Sequence, residues 1–238
     1  MRSAIYFAGR RSLDFGICVE YCPPFRTGGI SYEKKTVPGR SGELVMKAKP
    51  ALSNYTQPYE IWFSGKRKDT MKDGQDIALW LLSQSGYARL EDTYDPEIYR
   101  MALFAGPLDV ENWMLCRGRA TLEFDCMPQR FFKSGEQPVA VQSGARLYNA
   151  HMPALPLIRV SGTGSGTLTV GESTIAISGM TGGVTIDSDT QNAYDGQTNK
   201  NNSIIVTGGF PVLGPGETAV LFSGGITSVE ITPRWWTV

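Results

Sequence analysis

From Pro153 to the end, the chain repeats one pattern: short runs rich in Ile, Val, Leu and Thr, each closed by turn-forming residues. The runs are Pro156–Val160, Thr167–Val170, Thr174–Ile177, Val184–Ile186, Ser203–Val206, Thr218–Phe222 and Thr227–Ile231. Between them lie Gly162-Thr163-Gly164-Ser165-Gly166, Gly182-Gly183, Gly208-Gly209, Pro215-Gly216 and Gly224-Gly225. Leu168 and Val170 alternate with Thr167 and Thr169, the period of a strand with one buried face. Many short strands with glycine turns and no helical period predict an antiparallel β-sandwich. The glycine clusters read as hairpin turns. The polar stretch Asp187–Asn202 reads as a long loop.

The first part of the chain has another texture. Strand signals recur at Ala4–Phe7, Gly16–Val19, Glu43–Lys47, Tyr59–Phe63 and Ala120–Cys126. One helix is predicted over about Asp73–Ser85, with Ile77, Trp80, Leu81 and Gln84 on one face and Gly86 as its left-handed terminator. An amphipathic helix laid on a mostly β domain follows. From Pro153 onward, three basic residues face six acidic ones, so that part carries −3 and the remainder +3. Texture and charge together place a domain boundary near Ser134–Gly135, giving domains 1–134 and 135–238. No fixed-period internal repeat is present.

Overall, 23 Lys and Arg balance 23 Asp and Glu, which argues against a protein that wraps nucleic acid phosphate. No apolar run approaches the ~20 residues of a membrane span. The first residues do not read as a secretory signal, so folding in the cytoplasm is expected, with Cys18, Cys22, Cys116 and Cys126 as thiols. Cys18 and Cys22 have a metal-like spacing but lack a matching second pair. Cys126 alternates with Leu122 and Phe124 and reads as a core residue.

Catalytic constellations are equally incomplete. The single His, His151, lies in a connector without a nucleophile elbow. Gly162-x-Gly164-x-Gly166 precedes a strand, whereas a phosphate loop needs a helix N-terminus. Asp187-Ser188-Asp189 resembles a calcium-loop opening, but Asn192 and Thr198 occupy positions that need Gly and Glu. Glu91, Asp92 and Asp95 form a carboxylate cluster of the kind also found on solvated loops. No enzyme, cofactor or metal is therefore expected. Lys66, Arg67, Lys68 and Lys72 form the densest basic patch, a candidate partner contact. Trp235 and Trp236 fit either sugar stacking or closure of a core by the last strand.

Taken in order, several short segments resemble the distal tail protein (Dit) family of long, non-contractile-tailed bacteriophages. Pro38-Gly39-Arg40-Ser41-Gly42 resembles that family's Gly-Arg-x-Gly turn. Trp80-Leu81, followed by Tyr87 to Asp92 and then Tyr94-Asp95-Pro96-Glu97-Ile98-Tyr99, resembles its helix, strand and acidic-proline segment. Leu122-Glu123-Phe124-Asp125-Cys126-Met127-Pro128 resembles the end of its first domain. The strand and turn of Pro156–Gly162–Gly164, then Asp187, then Pro233-Arg234-Trp235-Trp236 resemble its second.

The resemblance implies an N-terminal β domain with a helix and an extended hairpin or belt, and a galectin-like C-terminal sandwich. It implies a virion tail-tip location and a homohexameric ring. That ring would join the tail tube protein to a tail-associated fibre or lysin protein, with receptor-binding proteins at its periphery. DNA would pass through without specific binding. The sugar-binding motif of galectins is absent from the chain. A carbohydrate-binding adhesion module, resting on the sandwich and Trp235-Trp236, is the alternative reading.

Overall fold

The computed structural model describes residues 3–46, 51–64, 70–108, 111–114 and 117–238. Two compact units result, Met1–Arg130 together with Val238, and Phe131–Thr237. The change of unit falls within β12, ahead of the polar turn at Ser134–Gly135.

The first unit is built on a sheet ordered β2-β1-β9-β10-β12-β8-β3. Its strands are β1 (Ile5–Phe7), β2 (Arg10–Arg11), β3 (Ile17–Val19), β8 (Tyr55–Ser64), β9 (Ala88–Asp92), β10 (Ile98–Leu103) and β12 (Arg117–Phe132), with β11 (Glu111–Met114) paired to β12. The long pair β8–β12 carries the two-residue alternation: Tyr59 sits opposite Leu122, and Ile61 opposite Ala120. Tyr59, Ile61, Leu122, Phe124 and Cys126 point into one apolar cluster, while Glu60, Thr121 and Glu123 face outward. Phe124 is central, with Phe7, Tyr59 and Phe104 edge-on or tilted around it at 5.0 to 5.9 Å.

Helix α1 (Thr70–Leu82) closes this core with Ile77, Trp80 and Leu81. Trp80 stacks on Phe15 at 4.7 Å, and its indole N–H donates to the Phe7 carbonyl at 3.1 Å. The helix starts and ends about one turn earlier than expected, and Gln84 lies beyond it. Gly86 does not adopt a left-handed conformation. The Ser83 hydroxyl ends the helix instead, donating to the Trp80 carbonyl at 3.2 Å.

Between β3 and β8 the chain leaves the sheet as an arm. Short strands β4 (Ile30–Ser31) and β7 (Ala51–Leu52) pair near its root, and β5 (Lys34–Thr36) and β6 (Glu43–Val45) pair toward its tip. Gly39 and Gly42 turn the tip with φ of 82° and 87°. This is the extended hairpin that the resemblance implied.

The second unit is one sheet folded over on itself. Three strands are unusually long: β15 (Leu157–Val170), β16 (Ser173–Asp187) and β20 (Gly216–Thr232). Each contributes one end to each of two layers. One layer runs β13 (Val139–Val141), β20, β15, β16, β17 (Asn192–Asp195), β18 (Thr198–Asn199). The other runs β14 (Ala145–Asn149), β20, β15, β16, β19 (Ile204–Thr207). Ile158, Val160, Ile186, Val229 and Ile231 of the first layer meet Leu168, Val170, Ile175, Ile177 and Val220 of the second in a single core. A last strand, β21 (Trp236–Thr237), ends the unit.

Three expected turns are thus corrected. Gly162–Gly166, Gly182-Gly183 and Gly224-Gly225 lie inside β15, β16 and β20, where they bring the fold line together. Ladder register shifts between Gly162 and Gly166, marking the bend. At this line backbones pack without side chains between them. A methyl group on Gly225 would overlap the Thr163 carbonyl oxygen, and one on Gly162 would overlap the Gly225 carbonyl oxygen. The expected loop Asp187–Asn202 is also corrected: it holds β17, β18 and the start of a 3-10 turn at Asn201–Ser203. Asn201 stabilises it, its side-chain oxygen accepting the Ala193 N–H at 2.6 Å.

The crowding at the fold line gives a direct test. Gly225→Ala should lower stability by about 1–3 kcal/mol, the usual range for an overpacked site. Gly183→Ala, whose nearest new contact is the Val160 carbonyl at 3.4 Å, should cost clearly less. Urea unfolding of the two variants checks the ranking.

Candidate interaction surfaces

In the first unit, Asp92 at the end of β9 organises a buried polar centre. Its Oδ2 accepts from the Tyr59 hydroxyl at 2.9 Å and from the Arg100 guanidinium at 3.1 Å. Its Oδ1 accepts the N–H groups of Tyr94 and Asp95, both at 2.9 Å. The carboxylate therefore fixes the loop Thr93–Glu97 that joins β9 to β10. Tyr94 and Pro96 are exposed on that loop. Burial pushes the Tyr59 phenol well above its ordinary pKa, and the Asp92 charge adds to the effect. Burial draws the Arg100 guanidinium down, but Tyr59 and Asp92 more than offset it, so its charge is held. Burial also pushes the Cys126 thiol up to about 12, which suits an inert core residue.

In the second unit, Asp187 at the end of β16 does the same for the C-terminus. Arg234 donates to its two carboxylate oxygens at 2.7 and 3.3 Å. The Asp189 N–H donates to Oδ1 at 3.0 Å. Burial pushes the Asp187 carboxyl upward, but the Arg234 hydrogen bonds and charge outweigh it, with help from the Asp189 and Thr190 N–H groups. Its pKa is held below the usual 3.8. Arg234 itself has a φ of 57°, uncommon outside glycine, so the ion pair holds a bent backbone. Pro233 is buried, and Trp235 and Trp236 pack against the sandwich core. The Trp236 indole N–H donates to the Pro153 carbonyl at 2.9 Å. Both rings are partly buried against that core.

The exposed apolar surface lies elsewhere. Tyr21, Phe25, Ile30, Tyr32, Val45 and Met46 are exposed in and beside the arm. Leu79 and Leu82 are exposed on α1, one turn apart, at 71% and 53%. Tyr148, Ile205 and Leu221 are exposed on the sandwich. Concentrations of this kind mark contact surfaces more often than scattered single residues do. Sequence reasoning missed the arm residues, because nothing in their spacing separates an exposed ribbon from a buried strand.

The remaining candidates are placed as follows. Lys66, Arg67 and Lys68 lie outside the described residues, as does Cys116, while Lys72 is exposed on α1. Gly39, Arg40 and Gly42 form the arm tip, with the Arg40 N–H donating to Val37. Trp80, Leu81 and Phe124 are core residues, Pro128 lies in β12, Pro156 is buried beside β15, and Gly162 is on the fold line. Of the carboxylate cluster, Glu91 pairs with Arg89, both Asp92 oxygens accept internal hydrogen bonds, and the Asp95 N–H donates to Asp92. Asp187 is likewise spent on Arg234. Among the described residues, no group of three or more His, Cys, Asp or Glu side chains could hold a metal ion. His151 stacks on Phe132 at 4.2 Å. No described helix is long and apolar enough to cross a membrane.

No protein-family model matches the chain, and no curated protein matches it. Solved structures do. The Dit protein of phage SPP1, described as a paradigm of the hub adsorption apparatus in phages infecting Gram-positive bacteria, superposes with a TM-score of 0.78 at 12% identity, covering 100% of both chains. A chain of the phage p2 baseplate in its activated conformation with strontium gives a TM-score of 0.53 at 9% identity, covering 97% of this chain and 96% of that one. The calcium form of that baseplate gives the same score and identity, with 97% of each chain covered. The fold is therefore the one seen in the SPP1 Dit hub protein, mostly β with two units.

Two predictions follow from the buried carboxylates. Asp92→Ala strands Arg100 and Tyr59 and should cost the first unit about 3–5 kcal/mol, the usual loss on breaking a buried pair, read as an earlier urea midpoint. For Asp187 the folded pKa is depressed, so its stabilisation is present above the unfolded value of 3.8 and lost as pH falls through the lower folded value. The stability difference between wild type and Asp187→Asn should shrink over that acid range, and a difference independent of pH would show that the Asp187 charge contributes nothing.

Proposed function

We propose that this protein is a structural hub of a phage tail tip. The observation that carries the reading is the full-length likeness to SPP1 Dit, which covers 100% of both chains. In this reading the chain assembles as a homohexameric ring. One face of the ring meets the tail tube protein. The other holds a tail-associated fibre or lysin protein, and receptor-binding proteins attach at the periphery.

The exposed apolar residues of the arm and of α1 supply surface for such contacts, since a ring subunit must bury area on both flanks. Balanced charge suits a ring through which DNA travels, because a strongly basic lining would retain phosphate. The buried carboxylates Asp92 and Asp187 hold loops, which suits a scaffold role. The basic segment Lys66–Lys68 with Lys72 is proposed as a partner contact. The alternative of a sugar-binding adhesion module loses its main support, because Trp235 and Trp236 are packed on the core.

Electron microscopy of the purified protein should show sixfold rings, alone or with a tail-tip partner, with a matching hexamer mass in solution. A monodisperse monomer at high concentration that binds neither tube nor tip protein would overturn the proposal.

A further inference from the structure

Arg130, near the end of β12, is only 3% exposed, and among the described residues it makes no ion pair. A buried guanidinium is costly unless its donors and faces are occupied. What occupies them here is mainly the root of the arm. One N–H group donates to the Arg26 carbonyl, and Nε donates to the Tyr55 hydroxyl at 3.4 Å. The Phe25 ring, itself 76% exposed, covers the guanidinium with 4.0 Å from Cζ to its centre. Beside it, the buried Gln57 side chain donates to the Pro24 carbonyl at 3.1 Å. Three consecutive residues of the arm root, Pro24, Phe25 and Arg26, are thus held by β8 and β12.

The two chains of the arm meet just beyond this point. Ser53 N–H donates to the Gly29 carbonyl at 2.9 Å, and Gly29 N–H donates to the Ser53 hydroxyl at 3.1 Å. Gly28 lies so close to the Ser53 carbonyl and to Pro128 that no side chain fits. Pro23 and Pro24 restrict the approach.

We propose that Arg130 and Phe25 form a clamp that fixes the root of the arm, so that the free chain presents the arm already ordered. Arg130 is its positioning residue. The planar guanidinium stacks under a ring while its edge donates to a carbonyl, a combination that a Lys ammonium cannot reproduce. Under the ring-assembly reading proposed above, an arm ordered beforehand loses less conformational entropy on association.

The test uses the full chain and residue-resolved hydrogen exchange under conditions where it is monomeric. Phe25→Ala removes an exposed side chain and leaves the core intact, so it should fold. In Phe25→Ala and Arg130→Ala, the Gly29 and Ser53 amides should exchange roughly tenfold faster or more, as a locally opened segment does. The Ala8 and Thr93 amides, bonded to Arg89 and Ala4 away from the arm, should keep their wild-type rates. Arg130→Lys should behave like Arg130→Ala. Unchanged Gly29 and Ser53 exchange in Phe25→Ala, or full protection in Arg130→Lys, would overturn the clamp. Ring formation by the wild-type chain is scored separately, so loss of the hub reading and loss of the clamp give different results.

Discussion

The second unit depends on the absence of side-chain volume along one line. At Gly162, Gly166, Gly224 and Gly225, neighbouring backbones approach so closely that a methyl group on any of them would meet a carbonyl oxygen or Ile226 inside normal contact distance. That closeness lets β15, β16 and β20 bend together and continue into a second layer. The two layers then share their longest strands, and the core between them is closed on that side by continuous chain. The apolar residues Met180 and Ile226 fill the inside of the bend. The layers could not be joined in this way by hairpins, because a hairpin reverses the chain within a layer.

In the first unit the corresponding constraint is polar. Asp92 and Arg130 are each buried, and each secures a stretch of irregular backbone: the loop after β9 in one case and the arm root in the other. Apolar packing alone would hold such segments in many arrangements of similar energy. A buried charge with directional partners selects one, which is the best-attested use of such groups. Asp187 and Arg234 apply the same device to the C-terminal turn. In all three cases charge is used to position a loop.

Strand composition, the apolar face of α1, and the contrast between the two parts of the chain were legible from residue types alone. The continuity of the long strands was not. Glycine is the common signal for a turn, and period-two alternation stops where the glycines begin, so each long strand reads as two short ones. Nothing local distinguishes a glycine that reverses the chain from one that admits a neighbouring backbone, because the difference lies in what sits across the sheet. The helix ends shifted for a related reason: Ser83 closes α1 through its hydroxyl, a contact that competes with the glycine signal at Gly86. The arm was visible only through resemblance, since its exposed Tyr, Phe, Ile and Met residues have the composition of a core.

That resemblance was carried by a few short segments, and their places in the structure explain why so few were enough. Gly39 and Gly42 have left-handed backbone at the arm tip. Trp80 donates from the core to the Phe7 carbonyl, Asp187 and Arg234 hold each other, and Gly162 lies where no side chain fits. At each of these positions the backbone or a specific bond narrows the choice to one or two residue types. Most other positions ask only for an apolar or a polar side chain of suitable size, and such sites accept wide substitution. A fold can then be shared across the whole length with SPP1 Dit at 12% identity, because most positions constrain only size and polarity.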